Sequence, residues 1–126
     1  MELTHVRVFR ALFACAFVTV AVLAFIEMPQ SGLTHLSDKL QHAFAFYVLA
    51  LLLDFATPRS EFGLRKFIVL MSYGVAIECV QYFLPWRESS VLDMVADAVG
   101  LLLYVAGIPL LRRLPVLRAR WRRTAE

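Results

Sequence analysis

Residues 91–111 read VLDMVADAVGLLLYVAGIPLL, and this run decides the fold. It is about as long as the roughly 20 apolar residues with which a helix crosses the hydrocarbon core of a bilayer. Asp93 and Asp97 interrupt it near its start. Ser89 or Ser90 is placed to cap its first turn, because a hydroxyl can accept a hydrogen bond from the amides there. The run therefore predicts a membrane-spanning helix with two carboxylates near one end.

Three earlier apolar runs predict three more helices. They cover residues 8–27, 40–56 and 67–84. Pro58 and Pro85 close the second and third runs, since proline disfavours helix in the residue before it. Within the first of these helices, the apolar stretch from Ala11 to Ile26 follows Arg7 and Arg10 and also resembles the apolar core of a signal peptide. No small-x-small cleavage site follows Ile26, so we predict that this run is retained as a helix.

Composition supports a membrane protein. Hydrophobic residues make up 60% of the 126 residues, and the mean hydropathy is +0.69, whereas ordinary soluble domains are roughly 45–50% apolar. Four helices use most of the chain and leave no room for a soluble catalytic module. We expect an all-α fold, a single domain over residues 1–126 that forms an integral membrane bundle of four transmembrane helices. Ala96, Gly100 and Gly107 give the fourth helix a small-residue face for close helix packing.

The basic residues predict the orientation. All thirteen except Lys39 and Arg87 fall at the termini or in the loop 57–66. Cytoplasmic loops retain an excess of Lys and Arg during insertion, so both termini should be cytoplasmic, with the tail 112–126 on anionic lipid. We expect a multi-pass protein of the bacterial inner membrane. The basic residues form no face with interleaved aromatics, which argues against nucleic acid as a partner.

Acidic residues sort the opposite way and ask for a separate explanation, because Asp and Glu contribute little to orientation. Glu78 lies seven residues before Pro85, and Asp97 lies seven after Ser90. At 1.5 Å per residue, both sit roughly 10 Å inside the predicted outer ends of their helices. Charges at such depth normally turn toward the bundle interior and are paired. We therefore expect these carboxylates and His42 to face one another.

The spacing of the polar residues supports one site. Asp38 and His42 are four apart, Glu78 precedes Gln81 by three, and Asp93 precedes Asp97 by four, so each helix offers one polar stripe. The short turn 85–90 should make the third and fourth helices an antiparallel hairpin. That hairpin would bring the stripes together, with Arg87 able to fold back over the carboxylates.

These motifs resemble those of the VanZ-like membrane protein family. The resemblance rests on Asp38-Lys39-x-x-His42, Glu78-x-x-Gln81, Pro85-x-Arg87 and Ser90-x-x-Asp93 with Asp97 and Gly100, and covers roughly half of the chain, from Asp38 to about Tyr104. Asp97 departs from the Asn of the family pattern. The resemblance implies a cell-envelope protein and an association with resistance to the glycopeptide teicoplanin, and it brings no settled mechanism.

We assign two groups of site residues. The proton-handling or catalytic group is His42, Glu78 and Asp93, and the substrate-binding group is Asp38, Lys39, Gln81, Arg87, Ser90 and Asp97. The two cations would engage phosphate, since guanidinium suits bidentate recognition, and the imidazole titrates near neutrality. The carboxylates and imidazole could also bind a hard cation, but helix spacing alone is a weak metal signal. We predict no metal and no cofactor.

Three functions remain open at this level. The first is a site for a membrane lipid or a lipid-linked envelope intermediate, with hydrolysis or transfer at phosphate as the reaction class. The sequence lacks the Lys-x6-Arg-Pro and Ser-Gly-His signatures of lipid phosphatases. Whether the protein is an enzyme is therefore undecided. The second is a non-catalytic factor whose polar cluster is a structural ion-pair network and whose outer surface binds a partner or a glycopeptide antibiotic. The third is proton-coupled transport by a homo-oligomer.

Overall fold

The computed structural model describes residues 3–26, 35–87 and 90–115, except for the side chains of residues 35–38. Four helices run through these ranges, namely α1 (Leu3–Phe25), α2 (His35–Ala56), α3 (Leu64–Tyr82) and α4 (Val91–Leu111). The all-α class is confirmed, and α4 has the predicted bounds. Residues 116–126 of the predicted basic tail lie outside the described residues.

The other helix bounds differ from those predicted. Helices α1, α2 and α3 begin earlier, because hydropathy detects the apolar part of a helix and misses a polar first turn. Helices α1 and α3 also each end two residues earlier, at Phe25 and Tyr82. The amides of Phe83 and Leu84 donate to the carbonyls of Val80 and Gln81, at 3.0 and 3.1 Å. Each of these hydrogen bonds joins residues three apart, as in a 3₁₀-helix, so the last turn is tighter than an α-helix and leads into the turn at Pro85.

Three of the helices are long and apolar enough to cross a membrane: α1, the part of α2 from Lys39 to Ala56, and α4. Helix α3 has 19 residues and carries Arg65, Lys66 and Glu78. The structure therefore describes a helical protein suited to a membrane.

Large apolar side chains on every helix point away from the protein. Val18 on α1, Phe44 on α2, Ile68 on α3 and Leu102 on α4 are 59%, 70%, 53% and 56% exposed. A soluble monomer rarely exposes continuous apolar surface on this scale. The outside of the bundle is therefore suited to lipid, and its interior holds the polar groups.

Helix α2 is the centre of the bundle. It packs most extensively against α4 and next against α1. The fully enclosed core comes from α2, α3 and α4, and it consists of Phe46, Leu49, Ala50, Leu70, Leu101 and Tyr104. Helix α1 is also tied to the end of α2, where the Arg10 Nε donates to the carbonyl of Ala56 at 3.2 Å. A cation suits this position because the last carbonyls of a helix carry partial negative charge.

The small-residue face of α4 packs where the sequence placed it. A Cβ added at Gly100 would lie 2.2 Å from the carbonyl oxygen of Ala43, closer than any real contact. The two backbones therefore touch, and a glycine is required at this crossing. At Gly107 the same added atom would meet the Tyr47 hydroxyl at an ordinary 3.7 Å.

We expect Gly100→Ala to destabilise the protein by about 1–3 kcal/mol, because the methyl group would push α4 away from the backbone of α2. Thermal unfolding in detergent, followed by circular dichroism, measures this. Gly107→Ala is the matched control and should unfold near the wild-type temperature. Equal melting temperatures for Gly100→Ala and wild type would contradict the close crossing.

Candidate functional site

Five polar side chains meet near the start of α2, the end of α3 and the start of α4. We call this group the charged cluster, and it consists of Lys39, His42, Glu78, Asp93 and Asp97. The three carboxylate residues are 1%, 3% and 1% exposed, in chain order. Because each helix contributes at most two of these residues, the cluster depends on how the helices pack.

His42 and Lys39 hold the α4 carboxylates from across the helix interface. The Nδ1 of His42 lies 3.0 Å from Oδ1 of Asp97, a hydrogen-bond distance, and its Nε2 lies 4.0 Å from Oδ2 of Asp93. The Lys39 ammonium donates to Oδ1 of Asp93. Helices α2 and α4 are thus joined by two polar links one turn apart.

Ser90 and Glu78 connect α3 to the start of α4. The Ser90 hydroxyl accepts from the amide of Leu92 at 3.1 Å, so the predicted N-cap is confirmed and falls on Ser90. The Ser90 amide in turn donates to Oε2 of Glu78 at 3.0 Å. A carboxylate near a helix N-terminus is favourable because the first amides carry partial positive charge. The substrate-binding role predicted for Ser90 is therefore accompanied by a structural one.

Gln81 and Trp86 cap the end of α1. The Gln81 side-chain amide donates to the carbonyl of Ala24 at 2.8 Å, and the Trp86 indole donates to the carbonyl of Phe25 at 2.9 Å. The last carbonyls of a helix lack intrahelical donors, which explains why these polar groups bind there. Oε1 of Gln81 is buried and has no hydrogen-bond partner among the described residues.

Arg87 and Asp38 complete the predicted site residues. Arg87 is half-buried in the turn between α3 and α4, and its amide donates to the carbonyl of Leu84 at 3.2 Å. Its Nε is buried without a hydrogen-bond partner within the described ranges. The side chain of Asp38 lies outside the described residues, so its predicted place in the site stays a prediction. The imidazole of His42 lies against Asp97.

Gly74 is a residue that sequence reasoning missed. A Cβ added there would lie 2.7 Å from Oδ2 of Asp97 and 3.0 Å from the ring of Phe46. The absent side chain leaves room for the Asp97 carboxylate between α3 and α4. A glycine four residues before Glu78, on the same helix face, is the signal that could have indicated it.

A second buried polar group was also missed, at the opposite end of α2. We call it the Asp54 cluster, and it consists of Asp54, Lys66 and Tyr104. The Lys66 ammonium donates to Oδ1 of Asp54 at 3.0 Å and to the carbonyls of Ser60 and Thr57 at 2.8 and 3.3 Å. The Tyr104 hydroxyl donates to Oδ2 of Asp54.

The Asp54 cluster changes the interpretation of Lys66. The sequence predicts Lys66 to be one of the basic residues of a cytoplasmic loop, but the residue lies inside α3 and is 8% exposed, and Asp54 is fully buried. The sequence contained one indication that Asp54 and Lys66 would pair. Asp54 lies two residues before the end of α2, and Lys66 lies two after the start of α3, so a short loop puts opposite charges at equal depth.

A metal ion could be held by part of the charged cluster. One ligand atom each from His42, Glu78 and Asp93 lie within 4.8 Å of one another. Imidazole nitrogen and carboxylate oxygen are donors that several divalent metals accept. The arrangement can therefore bind a cation, hold protons near a ligand, or tie the helices together.

Comparison of the chain with protein-family models, curated proteins and solved structures gave no match. The VanZ-like resemblance therefore stays a prediction that rests on the order of its motifs.

We expect Lys66→Met to destabilise the protein by about 3–5 kcal/mol, because it leaves the buried Asp54 carboxylate without its ammonium partner. Thermal unfolding in detergent measures the loss. The neighbouring, exposed Arg65→Met is the control and should change the melting temperature little. In the double variant Asp54→Asn/Lys66→Met part of the stability should return. Equal losses for Lys66→Met and Arg65→Met would argue against a buried ion pair.

Proposed function

We propose that this chain is a four-span, VanZ-like protein of the bacterial cytoplasmic membrane, with both termini cytoplasmic. The charged cluster would then open toward the periplasm or the exterior. The clustering of basic residues supports this orientation. The four-span arrangement draws support from α3, whose Lys66 and Glu78 lie inside the bundle, while Ile68, Val69, Val75 and Val80 are exposed.

Within that orientation, we propose that the charged cluster binds the headgroup of a phosphorylated lipid or lipid-linked envelope intermediate. The observation that carries this proposal is the convergence of ionisable side chains from three helices at one end of the bundle. Ionisable residues inside a membrane are costly and commonly mark functional sites. Lys39, and Arg87 in the turn between α3 and α4, are the cations that would engage phosphate.

The proton-carrying members of the cluster define which chemistry to test. His42, Glu78 and Asp93 are the groups that hydrolysis or transfer at phosphate would use as general acid and base. The proposed function is lipid binding. Turnover of the bound lipid can be assayed once that lipid has been identified. The association with teicoplanin resistance belongs to the same proposal and is tested by comparing the drug sensitivity of cells with and without the protein.

A structural ion-pair network is the second candidate, and a specific observation favours it. Lys39 is paired with Asp93, and His42 with Asp97, so the charged groups find partners within the protein. If these pairs serve only to hold the helices, substitutions in the cluster will lower stability and leave any bound lipid unchanged. The two candidates therefore differ in what co-purifies with folded variants.

Single-cysteine labelling tests the topology. In a background with Cys15 and Cys79 replaced by alanine, Glu88→Cys should react with a membrane-impermeant maleimide in intact spheroplasts. Glu61→Cys, in the loop between α2 and α3, should react only after the membrane is permeabilised. Reaction of both positions from the same side would mean that α3 does not span the membrane, and the reverse pattern would invert the orientation.

Native mass spectrometry of the protein released from membranes tests the binding function. We expect wild type to retain a phosphorylated lipid, and Arg87→Ala to retain on the order of tenfold less, since a charge-assisted hydrogen bond from the guanidinium to phosphate contributes about 1.5–3 kcal/mol. The exposed Glu61→Gln is the control and should match wild type. Identical lipid profiles from folded variants would reject the headgroup site in favour of the structural network.

A further inference from the structure

The charged cluster contains a set of atoms with the layout of a metal site. The ligand atoms of His42, Glu78 and Asp93 lie within 4.8 Å of one another, and each comes from a different helix. Metal–ligand bonds of roughly 2.0–2.2 Å hold neighbouring ligand atoms about 3–4 Å apart. The three groups therefore need only a small contraction to share one ion.

The imidazole of His42 is oriented for such a role. It has a carboxylate at each nitrogen, with Asp97 Oδ1 at 3.0 Å from Nδ1 and Asp93 Oδ2 at 4.0 Å from Nε2. The first distance fits a hydrogen bond, and the second is too long for one. When Nδ1 donates to Asp97, the Nε2 lone pair faces the Asp93 oxygen. Two acceptors that face each other across 4 Å leave a position that favours a cation.

This arrangement matches the support that proteins give to metal ligands. A metal-binding histidine usually donates its other ring N–H to a carboxylate, which fixes the tautomer and raises the basicity of the ligand nitrogen. Asp97 is placed to accept that hydrogen bond. From the sequence, Asp97 is one of the possible ligands, whereas the structure places it against Nδ1 of the histidine, on the side away from Nε2.

The two carboxylate ligands are also held by second partners. Asp93 offers Oδ1 to Lys39 and turns Oδ2 toward His42, so a metal on Oδ2 leaves the lysine pair intact. Glu78 accepts the Ser90 amide on Oε2. Ligands fixed in this way lose little freedom when an ion binds.

The formal charge of the cluster agrees with a divalent ion. Three carboxylates and one ammonium leave two negative charges when the imidazole is neutral, and all three carboxylate residues are at most 3% exposed. Buried charge is costly unless it is paired or bound to metal. A dication would bring the sum to zero.

We propose that His42, Glu78 and Asp93 bind one divalent metal ion that accepts both nitrogen and oxygen donors, Zn²⁺ or Mn²⁺, with Asp97 as the residue that positions the histidine. Ca²⁺ and Mg²⁺ prefer all-oxygen sites and fit this donor set less well. Helix spacing alone predicted no metal, whereas the packing of the three helices brings the ligand atoms within 4.8 Å of one another.

The metal also removes a difficulty for headgroup binding. Three carboxylates repel a phosphate, but an ion held by three protein ligands keeps coordination positions open for water or for a phosphate oxygen. This last step rests on the proposed lipid function. The metal site itself does not, because its ligands converge without a lipid.

Metal titration of delipidated, full-length protein tests the site. The protein is purified in detergent with a tag that contains no histidine, treated with chelator, and titrated with Zn²⁺, Mn²⁺, Mg²⁺ or Ca²⁺. Metal per chain is measured by mass spectrometry after desalting, with the melting temperature in parallel. We expect one Zn²⁺ or Mn²⁺ per chain and a higher melting temperature, with no such effect of Mg²⁺ or Ca²⁺.

Variants assign the ligands. His42→Ala, Glu78→Gln and Asp93→Asn should each lose the bound ion, and Asp97→Asn should weaken binding by about 10–100-fold, as loss of a residue that supports a metal ligand does. The exposed Glu61→Gln is the control and should bind like wild type. The proposal would be overturned if the wild-type protein bound no metal ion at a ratio of one per chain. It would also be overturned if all three ligand variants bound the ion as wild type does.

X-ray absorption of the Zn²⁺-loaded wild type keeps the test independent of variant folding. An imidazole nitrogen together with carboxylate oxygens supports the site, and sulfur ligation or the absence of imidazole refutes it.

Lipid analysis then separates the metal proposal from the headgroup proposal. An ion bound at one per chain without retained phosphorylated lipid supports the metal site and overturns the headgroup step. Lipid retained equally by metal-free and loaded protein refutes the metal's part in headgroup binding.

Discussion

A charged group inside an apolar bundle has to find a partner, and the rest of this structure depends on that constraint. Large apolar side chains are exposed on every helix, so charged side chains are stable where they meet one another in the interior. Among the described residues they meet at opposite ends of α2. The charged cluster lies at its start, and the Asp54 cluster lies near its end. Each holds α2, α3 and α4 together.

Close backbone packing makes these meetings possible. Gly100 lets α4 touch the backbone of α2, and Gly74 leaves space for the carboxylate of Asp97. Larger side chains at either position would separate the helices and lengthen the polar contacts. Apolar packing and polar pairing are therefore coupled in this bundle, because the glycines set the distance at which the charges interact.

The two clusters differ in how completely their charges are matched. In the Asp54 cluster one ammonium meets one carboxylate, and two carbonyls and a phenol complete the hydrogen bonds. In the charged cluster three carboxylates meet one ammonium and one imidazole. A matched network is suited to holding helices, whereas an excess of buried negative charge is suited to binding a cation. This contrast is why the functional proposals concern the charged cluster.

The sequence by itself determined the helices, their order, an N-cap at Ser89 or Ser90 and the small-residue face of α4 that includes Gly100, because hydropathy, capping and residue size act over short distances along one helix. It also indicated that polar residues near one end of the bundle would meet. It could not determine which groups pair. Lys66 pairs with Asp54, Gln81 caps α1, and Asp97 is hydrogen-bonded to His42. All three contacts depend on the rotation and spacing of helices that are distant from one another in the sequence. Only the tertiary structure fixes those two quantities, since a rotation of one helix by a single residue would present a different set of side chains to the same neighbour.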